Sequence, residues 1–298
     1  MLHDRLSDEI AAYARAIAPQ LERLVRTGRS TAPALLPARD PPHDAILIAA
    51  SDPLLAGSIT LDDLAALERD APRATLAAAL EEYARRGLVA RAGVGGETSY
   101  APTLRGQDLL LRVTAQQGAT VTALWASCDD ILPALVSIAT RVVGVAAATL
   151  PLTAYPAFRV QQAVPAPLGA PLARLLIARL AALRALRADV TAAVWEAHGF
   201  DAAQARALVD VCCAASQRPH AEDAGVGHDV DAPAGALATL HSRRLVGRES
   251  GQWHITAPGR TLHASIEQEI DERAAQPFAA VDAPARAVFL RGLKRLPG

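Results

Sequence analysis

The stretch "EYARRGLVARAGVGGETSYAPTLRGQDLL" occupies residues 82–110. A helical run ends at Gly87, where a glycine can take the left-handed conformation that closes a helix. "LVARA" follows as a short apolar strand and "GVGGE" as a hairpin tip. "TSYAPT" returns as a second strand, and another helix begins near Leu104. Helix, hairpin and helix in this order predict a winged helix, a shape that in many proteins sits on DNA.

Upstream, "GSITLDDLAALERDAPRATLAAALEEYARRG" supplies the two helices such a hairpin needs. Thr60 is placed as an N-cap, with Asp62 and Asp63 in the first turn where the helix dipole favours acids. "RDAP" breaks the pattern, and a second helix runs over about 72–86. Further upstream, residues 5–26 carry Leu6, Ile10, Tyr13, Ile17, Leu21 and Leu24 at helical spacing, with Ser7 as a candidate cap. Pro19 is expected to kink or divide that helix. "TAPALLPARDPP" reads as a connector and "HDAILIAAS" as a short apolar helix. Downstream, the helix that starts near Leu104 is expected to reach about Ala115. Residues 172–199 form one long helix or two abutting ones. "DAAQARALVDVCCAAS" forms another, with Asp201 at its start.

The 298 residues suffice for about two domains. Apolar residues make up 51% and aromatics 4%, so Leu, Ala and Val must build the core. Long Ala/Leu/Arg/Glu runs favour helix. The expected class is mostly α, with two winged helix-turn-helix domains joined by long apolar helices. Residues 1–150 form the first domain with flanking helices. Residues 151–172, carrying five prolines, form a linker, and 173–298 form a degenerate second domain.

The second domain is inferred from an internal echo. "RRGLVAR" corresponds to "SRRLVGR", and "SYAPTLRGQDLL" to "WHITAPGRTLHA". Leu88 stands opposite Leu245, Thr103 opposite Thr256 and Gly106 opposite Gly259. The offset falls from 157 to 153 across the hairpin, so the second wing is expected to be four residues shorter. In each half an aromatic anchors the returning strand, Thr caps the next helix, and Gly relieves the turn.

With these motifs in view, each half resembles a winged helix-turn-helix of the MarR type, over roughly residues 42–115 and 185–275. "YARRGLV…YAPTLRG" and "HSRRLV…WHITAPG" carry the resemblance. Similar motifs occur in the dimerisation domains of small-molecule O-methyltransferases. "LHASIEQEIDERAAQPFAAV" resembles an actinobacterial group of MarR-like proteins. The resemblance implies duplex DNA and an apolar small molecule as partners. The doubled length leaves monomer and homodimer both open, because one chain could imitate a MarR dimer.

A DNA-reading helix presents basic and amide side chains to base edges, and phosphates draw Lys, Arg and backbone N–H groups. In the first domain the candidates are Arg73, Thr75 and the wing residue Arg91. The helix preceding them is net acidic, and most of the reading helix's outward face is Ala. In the second domain residues 219–242 contain no Lys or Arg, while Arg243, Arg244 and Arg248 could supply a basic edge or simply end strands. The formal net charge of −1 shows no basic surplus. The alternative reading is therefore a winged-helix protein that has lost DNA and binds a small molecule or a protein, as an accessory or enzyme of specialised metabolism.

Apolar segments 131–155 and 172–195 could enclose a crevice for a small apolar ligand, with Trp125, Arg141, Tyr155 and Trp195 as lining candidates. Residues 131–152 are long enough to span a bilayer, but Arg141 at the middle would cost about 2.5–3.5 kcal/mol there. They read as a buried or interface helix, with no membrane partner. Trp195 and Trp253 read first as core. His220, His228 and nearby acids lack metal-ligand spacing, and no metal is expected. Cys212 and Cys213 read as core filling. Asp129 and Asp130 suit a helix start better than acid–base chemistry. Phosphate-cradling and nucleophile-elbow motifs are missing, so no cofactor or reaction is implied. Three cysteines without a Cys-x-x-Cys and a charged N-terminal stretch fit a reducing cytoplasm.

Overall fold

The computed structural model describes residues 2–30, 58–67, 73–94, 97–163, 169–216, 234–249 and 252–297. Among the described residues the chain is mostly α, with two small antiparallel sheets. It divides into two compact units, Met1–Asp189 with Ala274–Gly298, and Val190–Arg273. The second unit is thus inserted in the first rather than following it. Residues 151–172, expected as a linker, lie within the first unit, and the division instead falls inside two long helices.

In the first unit, α1 (Leu2–Ser30) buries Ile10, Ala14, Ile17, Leu21 and Leu24 along one face, as the 3.6-residue period requires. It runs on through Pro19 instead of dividing. Pro19 is exposed, so the backbone donor a proline lacks is missing on the solvent side. It also begins at Leu2, so Ser7 lies inside it rather than capping it.

Strand β1 (Ile59–Thr60) leads into α2 (Leu61–Leu67), and α3 (Arg73–Arg85) precedes β2 (Val89–Val94) and β3 (Glu97–Pro102). Among the described residues the sheet order is β1-β3-β2, with β2 at an edge. Ile59, Leu64, Leu76, Leu80, Tyr83, Leu88 and Tyr100 form the core beneath. Helix α4 (Leu104–Leu124) runs nine residues past the expected end at Ala115. Helices α5 (Leu132–Thr149) and α6 (Pro156–Ala163) follow, and Val160 of α6 joins the core under the sheet.

Asp129 and Asp130 stand in the turn before α5, as expected. By length and composition α5 could cross a membrane. Leu132, Leu135, Ala139, Val142 and Val143 are buried in the protein, while Arg141 is exposed.

Helix α7 (Leu172–Ala197) is one continuous helix that leaves this unit. The return is α11 (Ala283–Arg295), capped by Asp282, whose Oδ1 accepts from Ala285 N at 2.7 Å. Arg23 of α1 donates to the carbonyls of Leu293 and Leu296, each at 2.9 Å, satisfying groups a helix end leaves open. Gly292 lets α11 approach α5, since a Cβ there would lie 2.6 Å from Leu135 Cδ2.

The second unit holds the end of α7, then α8 (Ala202–Ser216), α9 (Ala234–Ser242), β4 (Val246–Glu249), β5 (Gln252–Ile255) and most of α10 (Ala257–Ala275). Asp201 caps α8 as expected, its Oδ1 accepting from Gln204 N at 2.8 Å. Trp195, Phe200, Leu208, Leu240, Ile255 and Ile266 are buried in it.

The repeat read from the sequence is present in the hydrogen bonds. Leu88 N donates to Tyr83 O and Leu245 N to Leu240 O, at 2.9 and 3.0 Å. Thr103 N meets Leu88 O, and Thr256 N meets Leu245 O. The Thr103 hydroxyl donates to Gly87 O and accepts from Gly106 N, while that of Thr256 donates to Arg244 O and accepts from Gly259 N. Even the left-handed residue recurs, at Gly87 (φ 68°) and Arg244 (φ 62°). The second hairpin is shorter by two rungs, which is four residues: six pairs run from Val89–Pro102 to Val94–Glu97, and four from Val246–Ile255 to Glu249–Gln252.

The expected connector and short helix over 31–51, the break at 69–72, the first wing tip at 95–96 and the His220–His228 loop lie outside the described residues.

Candidate functional site

The face that would meet DNA in the first unit is built from α2, the start of α3 and the hairpin. Thr60 and Asp63 fix α2 reciprocally: Asp63 N donates to Thr60 Oγ1 at 3.1 Å, and Thr60 N to Asp63 Oδ2 at 2.9 Å. That leaves Asp62 outward, and it forms an ion pair with Arg73 at the first turn of α3; the side chains are 66% and 60% exposed. Thr75 is half-buried. Arg91 on β2 pairs with Glu81 of α3, which also accepts from the Tyr100 hydroxyl at 2.8 Å. At the end of α3, Glu82 takes Arg85 and Arg86 together. These two hydrogen bonds hold the Glu82 carboxyl below its usual range, Arg85 contributing first. Each of the four described arginines between residues 58 and 102 is therefore matched to an acid of the same face.

Some of this pairing is visible in the sequence: Glu82 and Arg86 are four apart on a helix. The pairs Arg73–Asp62 and Arg91–Glu81 join different elements, and only the fold brings them together.

Beside this face, α3 and β2 enclose an open groove of about 720 Å³. Ala78, Glu81, Glu82 and Arg85 line it from the helix, and Ala90 and Arg91 from the strand. Nothing in the sequence reading pointed to it, because a groove between a helix and an edge strand depends on the strand order.

The second unit offers less to a phosphate. Helix α9 contains no Lys, Arg, Asp or Glu. Arg243 lies 3.9 Å from the Phe200 ring centroid and donates to Gly199 O at 3.1 Å. Arg248 lies over the Trp253 ring, which His241 meets edge-on. Both arginines thus stack on aromatics of their own unit. His198 bonds Glu269 at 2.9 Å and, with Arg273, holds that carboxyl below its usual range.

The four residues expected to line an apolar crevice fall as follows. Trp125 is fully buried, its indole N–H donating to Pro297 O at 3.0 Å, so it pins the chain's return onto the first unit. Arg141 is exposed and Tyr155 half-buried. Trp195 belongs to the second unit's core, edge-on to Phe200. The two tryptophans are packing residues. Cys128 is buried, and burial raises the thiols of Cys212 and Cys213, which suits packing rather than nucleophilic work. Among the described residues no cluster of His, Cys, Asp and Glu could hold a metal.

Neither protein-family models, nor curated proteins, nor solved structures match this chain.

Proposed function

We propose that the chain is a winged-helix protein of MarR-like ancestry in which a duplicated helix–hairpin module no longer reads DNA and binds a polypeptide partner instead. The observation that carries this reading is the internal pairing of Arg73, Arg85, Arg86 and Arg91 with Asp62, Glu81 and Glu82. A phosphate-binding face needs a surplus of cations, and the described residues between 58 and 102 show none. Helix α9, without Lys, Arg, Asp or Glu, agrees. The mixed-charge, open groove on α3 and β2 suits a polypeptide better than an apolar small molecule.

A second reading rests on the exposure of Arg73 and Arg91: a regulator that grips duplex DNA through Arg73, Thr75 and Arg91. Exposed ion pairs are worth about 0–1 kcal/mol, and a phosphate could replace the acid in each.

Binding to duplex DNA fragments at about 50 and 200 mM salt separates the two. The proposal expects no salt-sensitive binding. Tight binding at low salt that falls steeply with salt, and disappears with Arg73→Ala, overturns it in favour of the regulator.

A further inference from the structure

We infer that the groove between α3 and β2 takes an extended peptide, which adds to the sheet as an antiparallel strand beside β2 and carries a base followed two residues later by an acid. The inference rests on the polypeptide-binding reading above and deepens it.

Three features place the strand. First, the sheet order β1-β3-β2 leaves β2 paired on one side only among the described residues. Alternate residues of such a strand turn their N–H and C=O groups away from β3, and these are what an added strand bonds. Second, Ala78 and Ala90 keep the groove open where larger side chains would close it, and both are exposed.

Third, α3 presents Glu81 and Arg85 along its wall, four residues apart. Four residues of helix rise about 6 Å. Two residues of an extended strand advance about 6.8 Å. Alternate side chains of the added strand therefore fall opposite Glu81 and then Arg85, whose exposed ion pairs with Arg91 and Glu82 a peptide charge can join. Glu81 marks the Arg91 end of the groove, where the two are ion-paired, and Arg85 the Val89 end. An antiparallel strand runs from Arg91 toward Val89, so its base comes first and its acid second. Antiparallel pairing is also the slightly more stable form per residue.

The test uses the full chain and three end-blocked synthetic nonapeptides in a Thr/Val background, with a central Lys-x-Glu, Glu-x-Lys or Lys-x-Lys. Binding is read by fluorescence polarisation, with backbone amide shifts of β2 as a second readout. The expected result is binding of the Lys-x-Glu peptide below about 1 mM, at least tenfold tighter than Glu-x-Lys, with shifts concentrated in β2. Ala78→Trp fills the groove from an exposed position and should weaken binding at least tenfold. Arg85→Glu should weaken Lys-x-Glu at least tenfold and transfer the preference to Lys-x-Lys. Absence of binding, equal binding of the two orders, or indifference to Ala78→Trp and Arg85→Glu overturns the inference. If neither duplex DNA nor peptide binds, the peptide site falls and the loss of DNA reading stands. If salt-sensitive DNA binding appears, the polypeptide-binding reading itself falls.

Discussion

The two helix–hairpin modules share a skeleton and differ in surface. At the hinge from helix to strand, the same atoms bond in Leu88 and Leu245, in Thr103 and Thr256, and in Gly106 and Gly259. Outside the hinge little is kept. The first hairpin has six rungs and an acid paired with its Arg91; the second has four rungs, an α9 without Lys, Arg, Asp or Glu, and arginines laid on aromatic rings. The backbone bonds recur because buried N–H and C=O groups must be satisfied in any sequence that keeps the turn. The exposed side chains carry no such obligation, so they record what each module meets.

The comparison can be broken most forcefully at Gly259. A Cβ there would sit 2.1 Å from the Leu245 carbonyl oxygen, a backbone atom that cannot step aside. Gly259→Ala should destabilise the second module by about 3 kcal/mol, seen as loss of hydrogen-exchange protection in β5 while β3 keeps its own. Protection lost equally in both would mean that the modules do not unfold separately.

Removing the caps tests the equivalence more gently. Thr103→Ala and Thr256→Ala should each cost about 1–2 kcal/mol in denaturant unfolding, and the two values should agree within about 0.5 kcal/mol if the bonds are truly alike.

The left-handed residue sharpens the difference. Gly87→Ala should destabilise by about 1 kcal/mol, because a Cβ is disfavoured at φ 68°. Arg244→Gly should stabilise by up to about 1 kcal/mol, since the second module bears that strain already. Midpoints of chemical unfolding report both signs.

The smallest effect is expected in acid. Glu82 in the first unit and Glu269 in the second have carboxyls depressed by hydrogen bonds from Arg85 and His198 respectively. A depressed carboxyl contributes stability above its unfolded value, about 4.3, and loses it as pH falls through the lower folded value. Unfolding midpoints between about pH 5 and 2 should therefore drop, and Glu82→Gln and Glu269→Gln should flatten that slope. An unchanged slope in both variants would show the bonds to be absent in solution.

What could be read from the sequence was local. The Gly87 hinge, the Thr60, Thr103 and Asp201 caps and the shortened wing each depend on residues a few positions apart, and each is found. Pro19 misled because a proline's effect depends on which side of the helix faces solvent, and that is set by packing. Sequence alone leaves Trp125 open as a cavity edge, because its partner, Pro297, lies 172 residues away. The Asp62–Arg73 and Glu81–Arg91 pairs join different elements, so they and the charge balance of the face depend on the fold. The prolines of 151–172 suggested a boundary by composition, but a unit that closes with residues 274–298 has no single boundary in sequence order.

That closure has a consequence in time. Arg23 of α1 finishes its bonds on Leu293 and Leu296, carbonyls made 270 and 273 residues later. At about 5–20 residues per second, Arg23 waits tens of seconds for these acceptors. The inserted module, contiguous in sequence, can finish while its host is still open. The order of birth along the chain is therefore the reverse of the order of completion, and the half made first has the longest exposure to chaperones and proteases.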